Sequence, residues 1–185
     1  MSHLANSRIS PDALTFAGVT ICTIAAVVVY FEYRHELLFF WLGAALFVVG
    51  SILDILDGAL ARAGGKQTPF GGFLDSTLDR VGEGLMLGAI ALVFMRDGHE
   101  LALALAIAAI AGSFLVPYAR AKAEGLGIKG DVGIGSRAER VIVISVGLAL
   151  APWGVLPWAI GLLALTAWIT VLQRILHVRR ELSTR

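Results

Sequence analysis

The chain has 185 residues, 57% of them hydrophobic and only 16% charged, with a formal net charge of +1. A mean hydropathy of +0.80 and a charged fraction well under the roughly 25% of soluble domains exclude an ordinary water-soluble fold. The small net charge, with basic residues in short clusters rather than on one large face, argues against a nucleic-acid partner.

Residues 1–185 are therefore read as a single all-α integral membrane domain, with room for six spans of about 20 residues. The first dozen residues lack an apolar run followed by a small-residue cleavage site, so no cleavable signal peptide is expected. Ser10-Pro11-Asp12 is a helix-start signal, and the uncharged stretch Ala13 to Phe31 is span one. Cys22 falls inside it and is expected to be a small packing residue. Tyr30, Phe31 and Tyr33 form an aromatic interface belt before a polar turn at Glu32, Arg34, His35 and Glu36. Leu37 to Leu53 is span two, which runs directly into Asp54.

Ala63 to Pro69 has the glycine and proline content of a loop. Phe70 or Gly71 opens span three, which reaches about Met95 and carries Asp75, Asp79, Arg80 and Glu83 in its first half. A turn at Arg96 to Glu100 leads into span four, Leu101 to Ala119, whose helix is expected to continue to Glu124. Arg120 to Arg140 is the longest polar segment and is rich in glycine. Val141 to Gln173 carries no charge over 33 residues, too many for one span. Pro152, Gly154 and Pro157 divide it into spans five and six, and Arg174 to Arg185 is a polar, basic tail.

Lysine and arginine placement sets the orientation. With six spans and both termini cytoplasmic, thirteen of the fifteen Lys and Arg residues lie on the cytoplasmic side, leaving Arg34 and Arg96 outside. The expected location is the cell membrane, multi-pass, with the site described next on the cytoplasmic side.

Four carboxylates, Asp54, Asp57, Asp75 and Asp79, stand where the sequence otherwise suits lipid. An ionisable residue at membrane depth costs about 2.5–3.5 kcal/mol on insertion scales, so such a group reads as functional. At about 100° per residue, Asp54, Asp57, Gly58 and Ala61 share one face at the end of span two. Asp75 and Asp79, four apart, share a face of span three. Antiparallel neighbours joined by the 63–69 loop bring the acids together. Four oxygen donors at low dielectric raise one another's pKa, and a divalent cation, or two, relieves that. Carboxylates favour Mg²⁺, Mn²⁺ or Ca²⁺, and the absence of nearby His or Cys disfavours zinc.

Gly58, Ala61, Gly71 and Gly72 fill the spaces between the acids, either for close helix packing or as a flat floor for a bulky ligand. Arg62 and Arg80 beside them suit charge pairing or snorkelling as well as phosphate recognition. Glu83, one turn beyond Asp79, is expected to pair or support rather than to ligate.

Asp54, Asp57, Gly58, Ala61, Arg62, Gly71, Asp75 and Asp79 spell D-x2-D-G-x2-A-R-x8-G-x3-D-x3-D without exception. This pattern resembles the signature of the CDP-alcohol phosphotransferase family, whose six-span fold also matches the reading above. The resemblance implies a Mg²⁺- or Mn²⁺-dependent transfer, with two ions, of a phosphatidyl-type group from a CDP-diacylglycerol-type lipid to the hydroxyl of a small alcohol, releasing CMP. It implies that Asp54, Asp57 and Asp75 are metal ligands and that Asp79 completes the site and serves as general base. Asp54, Gly58, Ala61, Arg62 and Gly71 would then border the nucleotide. Ser10-Pro11-Asp12 with Thr15 is similar to a short N-terminal motif of the family. A homodimer is implied as well.

The run Y-A-R-A-K-A-E-G-L-G-I-K-G-D-V-G-I-G-S-R-A-E-R, from Tyr118 to Arg140, resembles the actinobacterial phosphatidylinositol-phosphate synthases within that family. It implies an acceptor pocket of Arg120, Lys122 and Arg140, with Arg137 near, for a small polyol phosphate, inositol phosphate foremost. Pro117, Arg120 and Ser136 depart from that subfamily's pattern. Glycerol phosphate, or an archaeal-type CDP-lipid or CDP-inositol substrate, stands as the alternative. A reading from another class is a cation transporter, which predicts acids through the full membrane depth, whereas spans four to six carry none inside them.

Overall fold

Pro11 opens the first helix, α1, Pro11–Tyr30, at a position whose amide has no intrahelical acceptor, so the missing proton costs little. The computed structural model describes residues 11–63 and 68–184, and gives the backbone alone at 11–12 and 57–63. A 3₁₀ turn, Glu32–Arg34, follows α1. There the Arg34 guanidinium lies 5.8 and 5.9 Å from the ring centroids of Phe31 and Tyr33, within cation–π range.

α2, Glu36–Ala63, is one uninterrupted helix of 28 residues. At 1.5 Å per residue it is about 42 Å long, longer than a hydrocarbon core of about 30 Å is thick. α3, Pro69–Arg96, begins at Thr68, whose Oγ1 accepts the Gly71 amide at 2.9 Å and caps one of the orphan donors of the first turn. It also has 28 residues.

The chain forms two compact units, residues 1–90 and 91–185. In the first, α1 packs along α2 through bare backbone. A Cβ on Gly18 would lie 3.0 Å from Gly50 O, and one on Gly50 would lie 2.7 Å from Cys22 Sγ. Cys22 is buried here, with Gly82 of α3 on its other side.

In the second unit, α4, Glu100–Gly125, packs against α6, Leu156–Ser183. Trp168 donates its indole N–H to Ala108 O at 3.0 Å, and Val116, Ala167 and Val171 are buried together. α5, Arg137–Ala149, also packs on α6. The break between them is a 3₁₀ turn, Ala151–Trp153, closed by Gly154 at φ 74°, a left-handed conformation natural to glycine.

Among the described residues the chain is all-helical, with four helices long and apolar enough to cross a membrane: those within Ala13–Tyr30, Glu36–Leu56, Glu100–Gly125 and Leu156–Ser183. α3 falls outside this set because of the charges in its first half. α5 falls outside because 13 residues span only about 20 Å.

Candidate active site

Asp54 on α2 and Asp75 and Asp79 on α3 converge: each offers one carboxylate oxygen, and these oxygens lie within 4.8 Å of one another. Asp54 is 7% exposed, Asp75 and Asp79 are half-buried, and Oδ1 of Asp79 is shielded from solvent. α1 lies against the base of Asp54: a Cβ on Gly18 would lie 3.5 Å from the Asp54 Cβ, in ordinary van der Waals contact.

Among the described residues no histidine or cysteine joins the group. An all-oxygen donor set held by two helices fits a hard divalent cation such as Mg²⁺ or Mn²⁺. Asp57, Gly58, Ala61 and Arg62 have side-chain positions outside the described residues. Glu83 is buried, 7% exposed, and lies outside the cluster. Arg80 folds back on its own helix, its Nη1–H donating to Ser76 O at 2.5 Å. Gly71 is half-buried at the start of α3. A Cβ on Gly72 would meet nothing within 4 Å, so helix packing does not explain a glycine there.

The second unit carries a basic cluster. Arg120, near the end of α4, pairs with Glu124 (Nε to Oε1 2.8 Å) and borders a cleft of about 290 Å³ lined also by Glu124 and residues 127–131. Arg140 is buried, 6% exposed, and donates from Nη1 to Gly135 O at 3.1 Å. Lys122 is exposed, with its ammonium 5.8 Å from the Tyr118 ring centroid and outside the cleft lining. Arg137 is half-buried in the first turn of α5.

Arg174, assigned from sequence to a basic tail, is instead buried within α6, 9% exposed. Its Nε donates to Val132 O at 2.9 Å and its Nη1 to Val116 O. The charges of Arg120 and Arg140 reach it, offset by Glu124 and Asp131. The signal for it was the buried stripe Ile160, Leu163, Ala167, Thr170, Val171, whose helical period continues to residue 174.

The start of α5 is also built locally. Ser136 is its N-cap, with Ser136 Oγ accepting the Glu139 amide at 3.4 Å and Glu139 Oε2 accepting the Ser136 amide at 2.6 Å. S-x-x-E ahead of an apolar run is the sequence mark of this capping box.

The sequence pattern of the CDP-alcohol phosphatidyltransferase family matches residues 8–176. The chain belongs to this family. It is 42% identical over 145 residues to the archaetidylinositol phosphate synthase of Methanothermobacter thermautotrophicus, covering 76% of this chain and 71% of that one. It is 36% identical over 189 residues to the phosphatidylinositol phosphate synthase of Cutibacterium acnes, covering 96% and 89%. Among solved structures, the Mycobacterium tuberculosis phosphatidylinositol phosphate synthase with CDP-DAG bound superposes with a TM-score of 0.81 at 27% identity, covering 92% of this chain and 87% of that one. The same enzyme in complex with manganese and citrate gives 0.80 at 28%, covering 92% and 82%. This CDP-alcohol phosphatidyltransferase is thus an enzyme of group transfer, and the cation-transporter reading falls away.

Proposed function

We propose that the chain transfers a phosphatidyl group from CDP-diacylglycerol to a hydroxyl of inositol phosphate, giving phosphatidylinositol phosphate and CMP. The observation that carries this is the convergence of Asp54, Asp75 and Asp79 within 4.8 Å, at the positions of the family's acidic pattern. Asp57 is the fourth acid of that pattern. Bound there, Mg²⁺ or Mn²⁺ would neutralise the pyrophosphate and stabilise the departing nucleotide oxygen.

The chain's own groups supply the rest. Asp79 accepts the proton of the attacking hydroxyl; the alcohol oxygen then bonds to the lipid-side phosphorus as the P–O bond to CMP breaks. Gly58, Ala61, Arg62 and Gly71 border the nucleotide along with Asp54, and the open space at Gly72 suits a ligand lying on that helix face. Arg120, Arg140 and Arg174, with Lys122 and Arg137 nearby in sequence or space, hold the acceptor's phosphate, a task suited to guanidinium forks. The names of both relatives reported above carry inositol phosphate and differ in the lipid, which favours this acceptor over glycerol phosphate and leaves an archaeal-type lipid as the second reading.

The whole chain acts as one domain. The six α-helices among the described residues carry six spans, the short fifth one beginning at Val141 within α5, with both termini and the site facing the cytoplasm and two copies forming a homodimer in the cell membrane. The test is CMP release by purified protein in lipid from CDP-diacylglycerol and Mg²⁺ or Mn²⁺, with inositol phosphate, inositol, glycerol phosphate and serine compared as acceptors. Release with inositol phosphate is the expected result; no release with any of the four overturns the reading.

A further inference from the structure

The 128–136 loop is seated on α6 by contacts that leave no room for side chains. Gly133 has φ 121°, and a Cβ there would lie 2.4 Å from Thr170 Cγ2. A Cβ on Gly135 would lie 2.9 Å from Thr170 Oγ1, with the next neighbours at 3.6 and 3.7 Å. Thr170 is held in place: it is fully buried, and its hydroxyl is bonded to Thr166 O at 2.8 Å, which fixes its χ1 rotamer. One turn on, Arg174 holds the same loop through Val132 O. The loop's height on α6 is therefore fixed by Thr170.

That height bears on Arg140. The carbonyl oxygen that receives the Arg140 Nη1–H belongs to Gly135, and the next residue, Ser136, is the N-cap of the helix that carries Arg140. Moving Gly135 off Thr170 shifts both the start of α5 and the group that aims the guanidinium. We propose that the Thr170–Gly135 contact is a positioning device for Arg140, setting where its guanidinium meets an anionic acceptor. This rests on the proposed acceptor site, and neither residue touches substrate in it.

Gly135 does not have a positive φ, so Gly135→Ala tests sterics rather than backbone strain, and Thr170→Ala removes the only atom closer than 3.6 Å. The experiment compares the unaltered protein, Gly135→Ala, and the double variant Gly135→Ala with Thr170→Ala. It measures KM for inositol phosphate and for CDP-diacylglycerol, and in parallel the affinity for inorganic phosphate by calorimetry. Gly135→Ala is expected to raise the inositol phosphate KM and weaken phosphate binding by about tenfold or more, the scale of a charge-assisted hydrogen bond, with the CDP-diacylglycerol KM within about twofold. The double variant is expected to recover most of the loss in both readouts. Unchanged phosphate affinity in Gly135→Ala, equal effects on both KM values, or a double variant no better than the single overturns the inference. Turnover by the unaltered protein with unphosphorylated inositol instead of inositol phosphate would sink the proposed acceptor, while phosphate affinity across the three proteins still decides the role of Thr170.

Discussion

Arg174 of α6 donates its Nε–H to the carbonyl of Val132 at 2.9 Å, forty-two residues back in the chain, and its other contact is the Val116 carbonyl on α4. A buried guanidinium thus joins a helix, a loop and a second helix at the basic cluster. Arg174→Leu removes the donor while leaving both carbonyls in place. Hydrogen bonds to charged groups contribute about 1.5–3 kcal/mol each, so thermal unfolding in detergent should show a loss of that order. Hydrogen exchange should quicken in residues 128–136 more than in α1 and α2. Uniform exchange across both units would show that Arg174 does not hold the loop.

Asp79→Asn keeps the size of the side chain and removes the capacity to take a proton. General-base contributions are typically about 10²–10⁴-fold, so turnover should fall at least that far while CDP-diacylglycerol still binds. Asp54→Asn, which removes a charged donor from the cluster, should instead raise the Mn²⁺ concentration needed for half-maximal rate. Chelation should stop the unaltered enzyme, and Mg²⁺ or Mn²⁺ should restore it. A fully active Asp79→Asn enzyme would remove that residue as the base.

Asp54, Asp75 and Asp79 were legible in the sequence because charge inside an apolar run is conspicuous, and helical spacing was enough to pair Asp75 with Asp79 and to aim Asp54 at them; the Asp57 side chain lies outside the described residues. The break before α6 was equally plain from Pro152, Gly154 and Pro157. Arg174 was hidden for the opposite reason. It is the first charge after 33 neutral residues, which reads as the end of a span, and only the buried period of α6 reveals that the helix and its packing continue past it. Gly133 and Gly135 stand in the sequence only as part of a glycine-rich polar segment, since nothing local shows that Thr170, more than thirty residues away, presses on both. The tight α1–α2 approach at Gly18 and Gly50 lies in the same class of tertiary fact.

The capping box of α5 makes a pH prediction. The Glu139 carboxylate accepts the Ser136 backbone amide, bonds the Ser136 side chain and lies near Arg140, and these hold its pKa below the usual carboxylate range. With the folded pKa below the unfolded one, its stabilising effect is present above the unfolded value and is lost as pH falls through the folded value. Lowering the pH through the carboxylate range should therefore loosen the start of α5 in the unaltered protein. Glu139→Gln should remove that part of the acid sensitivity while remaining folded at neutral pH. Identical acid profiles for the two proteins, followed by hydrogen exchange at residues 136–140, would count against the box.

Two glycines in the first unit should respond in opposite directions to the same change. Gly43 faces α1 so closely that an added Cβ would lie 2.4 Å from Cγ2 of the fully buried Val29 and 3.4 Å from Ala25 O. Valine has little rotamer freedom in a helix, so Gly43→Ala must part the helices and should cost about 1–3 kcal/mol. Gly88, in the middle of α3, has nothing within 4 Å of an added Cβ. There the helix propensity of alanine dominates, and Gly88→Ala should gain roughly 0.8–1 kcal/mol. Thermal unfolding of the two variants in the same detergent reads both signs. A stabilised Gly43→Ala protein would mean that the close approach of α1 and α2 is not what requires glycine at that position.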